Sequence, residues 1–170
     1  MDGEDEIKQA YASILDADFE RAIDWFEQAV RVDPDNADYH YKLSVTYARS
    51  NRLDKAIKHA RLACKLQADH DVYRLHADAV EARLLVRDAG TQWDDSRQLY
   101  RAVEQLKQAV CLDPLLTEAY LLLAIAYGEQ GQYELALQAA KDAVKLEPQN
   151  AQANRLAGRY RAKLKRYLRS

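Results

Sequence analysis

Apolar side chains recur along this chain of 170 residues at steps of three and four. Ala22, Phe26, Ala29 and Val30 make one such stripe, and Val103, Leu106 and Val110 another. That spacing puts them on one face of an α-helix. Period-two alternation and β-branched runs are scarce. So are turn formers, with five Gly and three Pro. The pattern predicts an all-α chain.

The prolines reveal a longer period. Pro114 and Pro148 lie 34 residues apart, and Pro34 and Pro114 lie 80 apart, two periods plus twelve. Each follows a helical segment, as a residue that cannot continue a helix should. Laid out at this period, residues 117–150 read TEAYLLLAIAYGEQGQYELALQAAKDAVKLEPQN, and residues 37–70 read ADYHYKLSVTYARSNRLDKAIKHARLACKLQADH. Small residues (Ala22, Ala56, Ala102, Ala136) fall where two helices would cross closely, with Phe26, Tyr47 and Tyr127 beside them. Gly131 suits the left-handed backbone that ends a helix.

These units resemble tetratricopeptide repeats. The match is carried by Tyr120, Leu123, Ala124, Tyr127, Gly131, Tyr133, Ala136, Ala140, Ala143 and Pro148 in the fourth unit. Leu43, Ser44, Tyr47, Asn51, Leu53, Ala56, Ala60 and Ala63 carry it in the second, and Phe19, Ala22, Phe26, Ala29 and Pro34 in the first. The resemblance implies a right-handed superhelical solenoid of antiparallel helix pairs. The units are 3–36, 37–70, 71–116 and 117–150, followed by a solvating helix over 151–168. The first helix departs from the family pattern, with Gln9 and Ser13 where Leu and Tyr are usual.

The third unit is twelve residues too long, since its small residue is Ala102 instead of position 90. The surplus keeps helical spacing on both sides of DAGTQ. The economical reading lengthens both helices into a hairpin extension near 84–98, capped at Gly90 and Thr91, with Trp93 at its tip. Trp93 either clamps the hairpin against Leu85 or Val86 or offers a second docking surface.

The resemblance also implies a concave groove lined by the first helix of each unit. Family positions carry over to Tyr41, Lys42, Val45 and Arg49 in the second unit, Leu75, His76 and Arg83 in the third, and Leu121, Leu122 and Ile125 in the fourth. In the first unit they fall on Glu4, Ile7, Lys8, Tyr11, Ile14 and Leu15. Such a lining suits an amphipathic helix or extended peptide, with basic residues favouring acidic ones in the ligand. For Leu121 and Leu122 the alternative is cover by Leu156, Tyr160, Leu164 and Leu168 of the terminal helix. The family's Lys, Asn and Arg clamp for acidic chaperone C-termini is missing.

Charge changes the picture at the ends. The chain has net charge −2, yet residues 151–170 hold seven Lys or Arg and no acid, while the start reads MDGEDE. A basic amphipathic helix meets its own dipole requirements, an acidic partner, anionic lipid or RNA, or the acidic start of another copy. The low net charge and the absence of a membrane-length apolar run point away from nucleic acid and membrane as main partners. The acidic start is unlike a signal peptide, so a cytoplasmic protein is expected. Cys64 and Cys111 form neither a disulfide framework nor a zinc spacing. His40, His59, His70 and His76 form no metal or triad motif, and no Gly-rich phosphate loop occurs. No catalytic residue, metal or cofactor is expected. The function expected is a non-catalytic interaction scaffold binding a peptide or helix of a protein partner. The alternatives are a self-assembling module, forming a homo-oligomer through its ends or the hairpin, and a chaperone-like holder of a client.

Overall fold

In the computed structural model, which describes residues 3–169, helices take up most of the chain. They are α1 (Glu4–Leu15), α2 (Phe19–Val32), α3 (Ala37–Arg49), α4 (Leu53–Leu66), α5 (Asp71–Ala89), α6 (Ser96–Leu112), α7 (Thr117–Glu129), α8 (Tyr133–Leu146) and α9 (Ala151–Tyr167). No strand occurs among the described residues. Met1 and Asp2, and with them part of the acidic opening run, lie outside the described residues, as does Ser170.

Local chemistry sets the helix ends. Asp18, Asn36, Asp95 and Asn150 each accept a backbone N–H of the first turn, satisfying one of the donors a helix leaves open. The turns between paired helices use left-handed backbone at Ala17 (φ 58°), Asn51 (φ 57°) and Gly131 (φ 73°). These positions are separated by one period and by two periods plus twelve, so the same turn recurs whatever side chain occupies it.

The chain divides into two compact units, Met1–Glu81 and Ala82–Ser170, with the boundary inside α5. In the first unit α1 packs on α2, α2 on α3 and α3 on α4. Ala22, Ala29, Ala56 and Ala63 are wholly buried at the crossings, and Phe26, Leu43 and Tyr47 fill the space beside them. Tyr73, from the first part of α5, packs with Ala37, Ala63 and Tyr41. In the second unit α6 packs on α7, α7 on α8, and α9 on both α7 and α8. One continuous core there runs from Ala82 and Val86 through Leu106 and Leu123 to Leu156 and Tyr160.

The long third unit is built differently from the reading of its sequence. α5 has 19 residues against 13 in α3 and α7, so it takes a six-residue extension and ends at Gly90, whose φ is 65°. α6, however, begins at Ser96 and not after Thr91. Its cap is Asp95, which accepts from the Gln98 N–H, while Gln98 Oε1 accepts from the Asp94 N–H. Residues 90–95 are therefore a loop, and Trp93 sits in it rather than on a helical stripe.

Candidate functional site

In the first unit, α1 and α3 present one face together. Tyr11 and Ile14 of α1 and Tyr41, Lys42, Val45, Thr46 and Arg49 of α3 line a cavity of about 240 Å³, with Phe26 of α2 among them. The α3 residues recur at steps of three and four, which is why one helix face supplies Tyr41, Lys42, Val45 and Arg49. Phe26 meets Tyr11 edge to face with ring centroids 5.9 Å apart. The walls are therefore aromatic and aliphatic, and the volume is below the roughly 300 Å³ at which small-molecule pockets begin. It matches one bulky side chain.

The polar groups around this cavity are already oriented. Lys42 bonds the Asp38 carboxylate one turn back, and its ammonium lies 5.6 Å from the Tyr11 ring centroid. Burial alone would lower the Lys42 pKa, but Asp38 and Tyr11 outweigh it and hold it above the ordinary ammonium value. His76 reaches Ser44 Oγ through Nε2 at 2.8 Å. The Ser44 hydroxyl donates to the Ala56 carbonyl at 2.7 Å, so His76 Nε2 carries the proton and donates to Ser44. The His76 ring also meets Tyr41 edge-on, at 5.3 Å between centroids. Arg49 differs: it is exposed in the last turn of α3 and has no ion-pair partner among the described residues. Leu75, at the start of α5, is 62% exposed.

The residues read as groove positions in the second unit have another environment. Leu121 and Leu122 are each only 8% exposed and belong to the same core as Leu156, Ala157 and Tyr160 of α9. The close approach is made possible by Gly128, where a Cβ would lie 2.3–2.5 Å from three atoms of the Tyr160 side chain. Ile125 is half-buried and, with Glu129, borders a cleft of about 550 Å³ whose other wall is the 91–96 loop and Leu99. Arg83 is half-buried on α5. Trp93 is half-buried against the core and donates its indole N–H to the Ala89 carbonyl at 2.9 Å. This bond ties the loop back to the end of α5.

The titratable groups elsewhere have structural partners. His40, buried in α3, accepts or donates on both ring nitrogens: Nε2 lies 2.9 Å from the Pro34 carbonyl and Nδ1 lies 2.9 Å from His59 Nδ1. A carbonyl only accepts, so His40 is protonated on Nε2, and His59 donates its Nδ1–H to it. Burial, then the neighbouring His40, pushes the His59 pKa down. Tyr47 donates to Glu27, and burial together with that carboxylate pushes its pKa up. Burial also raises the Cys64 thiol, which keeps it in the less nucleophilic form. Among the described residues no group of His, Cys, Asp and Glu is placed to hold a metal ion. No helix of the described residues is long and apolar enough to cross a membrane.

Two tetratricopeptide repeat models match this chain, one over residues 8–71 and one over residues 117–150. No curated protein matches it in sequence. Several solved structures share its fold. A form of MamA from Desulfovibrio magneticus RS-1 aligns with a TM-score of 0.58 at 18% identity, over 96% of this chain and 86% of that one. A second MamA structure aligns with a TM-score of 0.56 at 18% identity, over 95% and 81% of the two chains. YrrB, a tetratricopeptide protein with an unusual peptide-binding site, aligns with a TM-score of 0.52 at 20% identity, over 94% and 76%.

Proposed function

The chain belongs to the tetratricopeptide repeat family, and from that premise we propose that it is a non-catalytic, cytoplasmic module that binds a peptide or helix of a protein partner. The contact surface is the α1–α3 face of the first unit. The cavity bounded by Tyr11, Ile14, Tyr41 and Val45 takes one bulky apolar side chain, and Arg49 faces an acidic residue of the same ligand. The observation that carries this reading is the cavity itself, apolar, open, and bordered by a cation without a carboxylate of its own. Lys42 and His76 act by holding Tyr11, Tyr41 and Ser44 in place, so the ligand meets a surface that needs little reordering. The shared fold with YrrB supports a peptide as the ligand class. Leu121, Leu122 and Ile125 have no part in this reading, because the two leucines are buried in the core of the second unit, 8% exposed each, and Ile125 lies in that unit and not in the first.

Selection from a random peptide library tests the proposal. The expected enrichment is one large apolar residue with Asp or Glu within a few positions of it. Val45→Arg, which fills the cavity with charge, should abolish capture, and Arg49→Glu should shift the enriched charge from acidic to basic. Both variants should keep the helical circular dichroism of the parent. Capture of the same peptides by folded Val45→Arg would reject the α1–α3 face as the site.

A further inference from the structure

The charge of this chain is segregated to its two ends. Residues 1–40 carry twelve acids and three bases, a net −9, while residues 41–150 carry fifteen of each and are neutral. Residues 151–170 carry seven bases and no acid. Six of the twelve acids lie on α1 and α2 and two more, Asp16 and Asp18, in the turn between them, while six of the seven terminal bases lie on α9.

What sets the cations of α9 apart is that no acid is interspersed among them, so the cluster has no internal counter-charge. Lys8, Arg31, Lys42, Arg52, Arg61, Arg74, Arg87, Lys107 and Lys145 all form ion pairs. None of the seven on α9 and just after it does so among the described residues. Arg159 and Lys163 lie over the rings of Tyr160 and Tyr133 instead. Helical spacing arranges the exposed cations in two rows. Arg155, Arg159 and Arg166 form one, and Arg161 and Lys165 the other, with Gly158 and Ala162 between them. A Cβ at Gly158 would meet nothing within 4 Å, so the strip between the rows is open.

The α1–α2 pair has the complementary features. Asp5, Asp16 and Asp24 are exposed, and Leu15, 87% exposed, ends α1 immediately before Asp16. A small-residue strip flanked by cations fits an apolar knob beside carboxylates.

We propose that α9 of one copy docks on the α1–α2 end of a second copy, with Leu15 set over the Gly158 and Ala162 strip and the two cation rows facing the acidic residues. The contact uses different surfaces on the two partners, so it is heterologous. It shares α1 with the peptide-binding face but uses Leu15, Asp5, Asp16 and Asp24, none of which lines that cavity.

The test uses the full chain in sedimentation velocity at low and high salt, with three charge-reversed forms. The wild type should exceed twice the 19.5 kDa monomer mass at low salt and return to it near 1 M salt, where the screening length falls to about 3 Å. Arg155→Glu with Arg159→Glu and Arg166→Glu should be monomeric. So should Asp5→Lys with Asp16→Lys and Asp24→Lys. An equimolar mixture of the two should associate again, because each now carries the end the other lacks. Leu15→Ser alone should weaken association at unchanged net charge. All substituted positions are exposed, and circular dichroism checks that each variant stays folded. A wild-type monomer at low salt overturns the proposal, as does a mixture that stays monomeric. Binding of RNA or anionic vesicles by α9 in a protein that remains monomeric overturns it as well.

Discussion

Two glycines sit on helices of the second unit, and the same substitution at each should have opposite signs. At Gly158, on the exposed side of α9, an alanine Cβ meets nothing within 4 Å. Gly→Ala there removes backbone entropy from the unfolded chain at no steric cost and should stabilise by about 0.5–1 kcal/mol. At Gly128, in the last turn of α7, the same Cβ would lie 2.3 Å from Tyr160 Oη, 2.4 Å from Cε1 and 2.5 Å from Cζ. Those atoms belong to a rigid ring that is 1% exposed, so they have nowhere to retreat. To restore ordinary contact, the ring and with it α9 must shift by about an ångström. Overpacking of this kind costs about 1–3 kcal/mol and exceeds the helix-propensity gain of up to ~1 kcal/mol. The expected net loss is about 1–2 kcal/mol.

Urea unfolding followed by circular dichroism reads both effects. With a slope of about 2 kcal/mol per molar, the midpoint should fall by roughly 0.5–1 M for Gly128→Ala and rise by roughly 0.3–0.5 M for Gly158→Ala. The double variant Gly128→Ala with Tyr160→Leu isolates the contact. If the ring is the obstacle, the alanine should cost little once the ring is gone, leaving a large coupling energy between the two sites. Equal midpoints for the two alanine variants would refute the packing of α9 on α7. An unchanged cost of Gly128→Ala in the Tyr160→Leu background would refute the ring as its cause.

Stability should also depend on pH through the His40–His59 pair. The folded pKa of His59 is lowered, so below the unfolded value of about 6.5 the unfolded chain binds more protons, and stability falls as pH falls. One excluded proton gives at most about 1.4 kcal/mol per pH unit; urea midpoints from about pH 5 to 8 should show the slope in the parent and a flatter one in His59→Gln. Ala17→Gly should stabilise by up to about 1 kcal/mol in the same assay, because Ala17 holds a left-handed backbone that costs a side chain and spares glycine. A destabilised Ala17→Gly would mean that the turn is not built as described. Trp93→Phe keeps the apolar contact but loses the indole bond to Ala89; about 0.5–1.5 kcal/mol and faster amide exchange at the end of α5 are expected. Unchanged exchange across residues 86–96 would show that the bond does not hold the loop.

The repeat was legible because its cause is periodic. Each unit needs a small residue at a helix crossing, a bulky one beside it and a turn at a fixed distance, and these needs recur every 34 residues. Even the non-glycine turn at Ala17 is found by counting back from Asn51, although nothing about alanine signals a left-handed backbone. Where the period breaks, local signals compete. Thr91 with Asp94 and Asp95 with Gln98 both have the spacing of a helix start, and only the second pair makes the bonds. What separates them is tertiary. Trp93 lies against the core with its indole on Ala89, and a helix starting at Thr91 would have carried that side chain elsewhere. The Asp95–Gln98 signal was present in the sequence but could not be ranked without that contact.

The candidate site shows the same limit in electrostatic form. Lys42, Arg49 and His76 are alike in the sequence as bases near one groove, but they differ in what they can offer a ligand. The Asp38–Lys42 pairing was readable from their spacing of four, since such residues meet on a helix. The bond from His76 to Ser44 was not, because it joins residues 32 apart and depends on how α5 lies beside α3 within the first unit. Once those two bases are assigned to the framework, Arg49 is left as the α3 cation able to select a ligand's charge. The Leu121–Leu122 pair follows the same logic for apolar groups. A leucine at a groove position faces a partner only if its own chain leaves it exposed, and the core of the second unit buries both. Under the proposed function, specificity is thus set less by which residues occupy the family's ligand positions than by which of them the chain has left exposed.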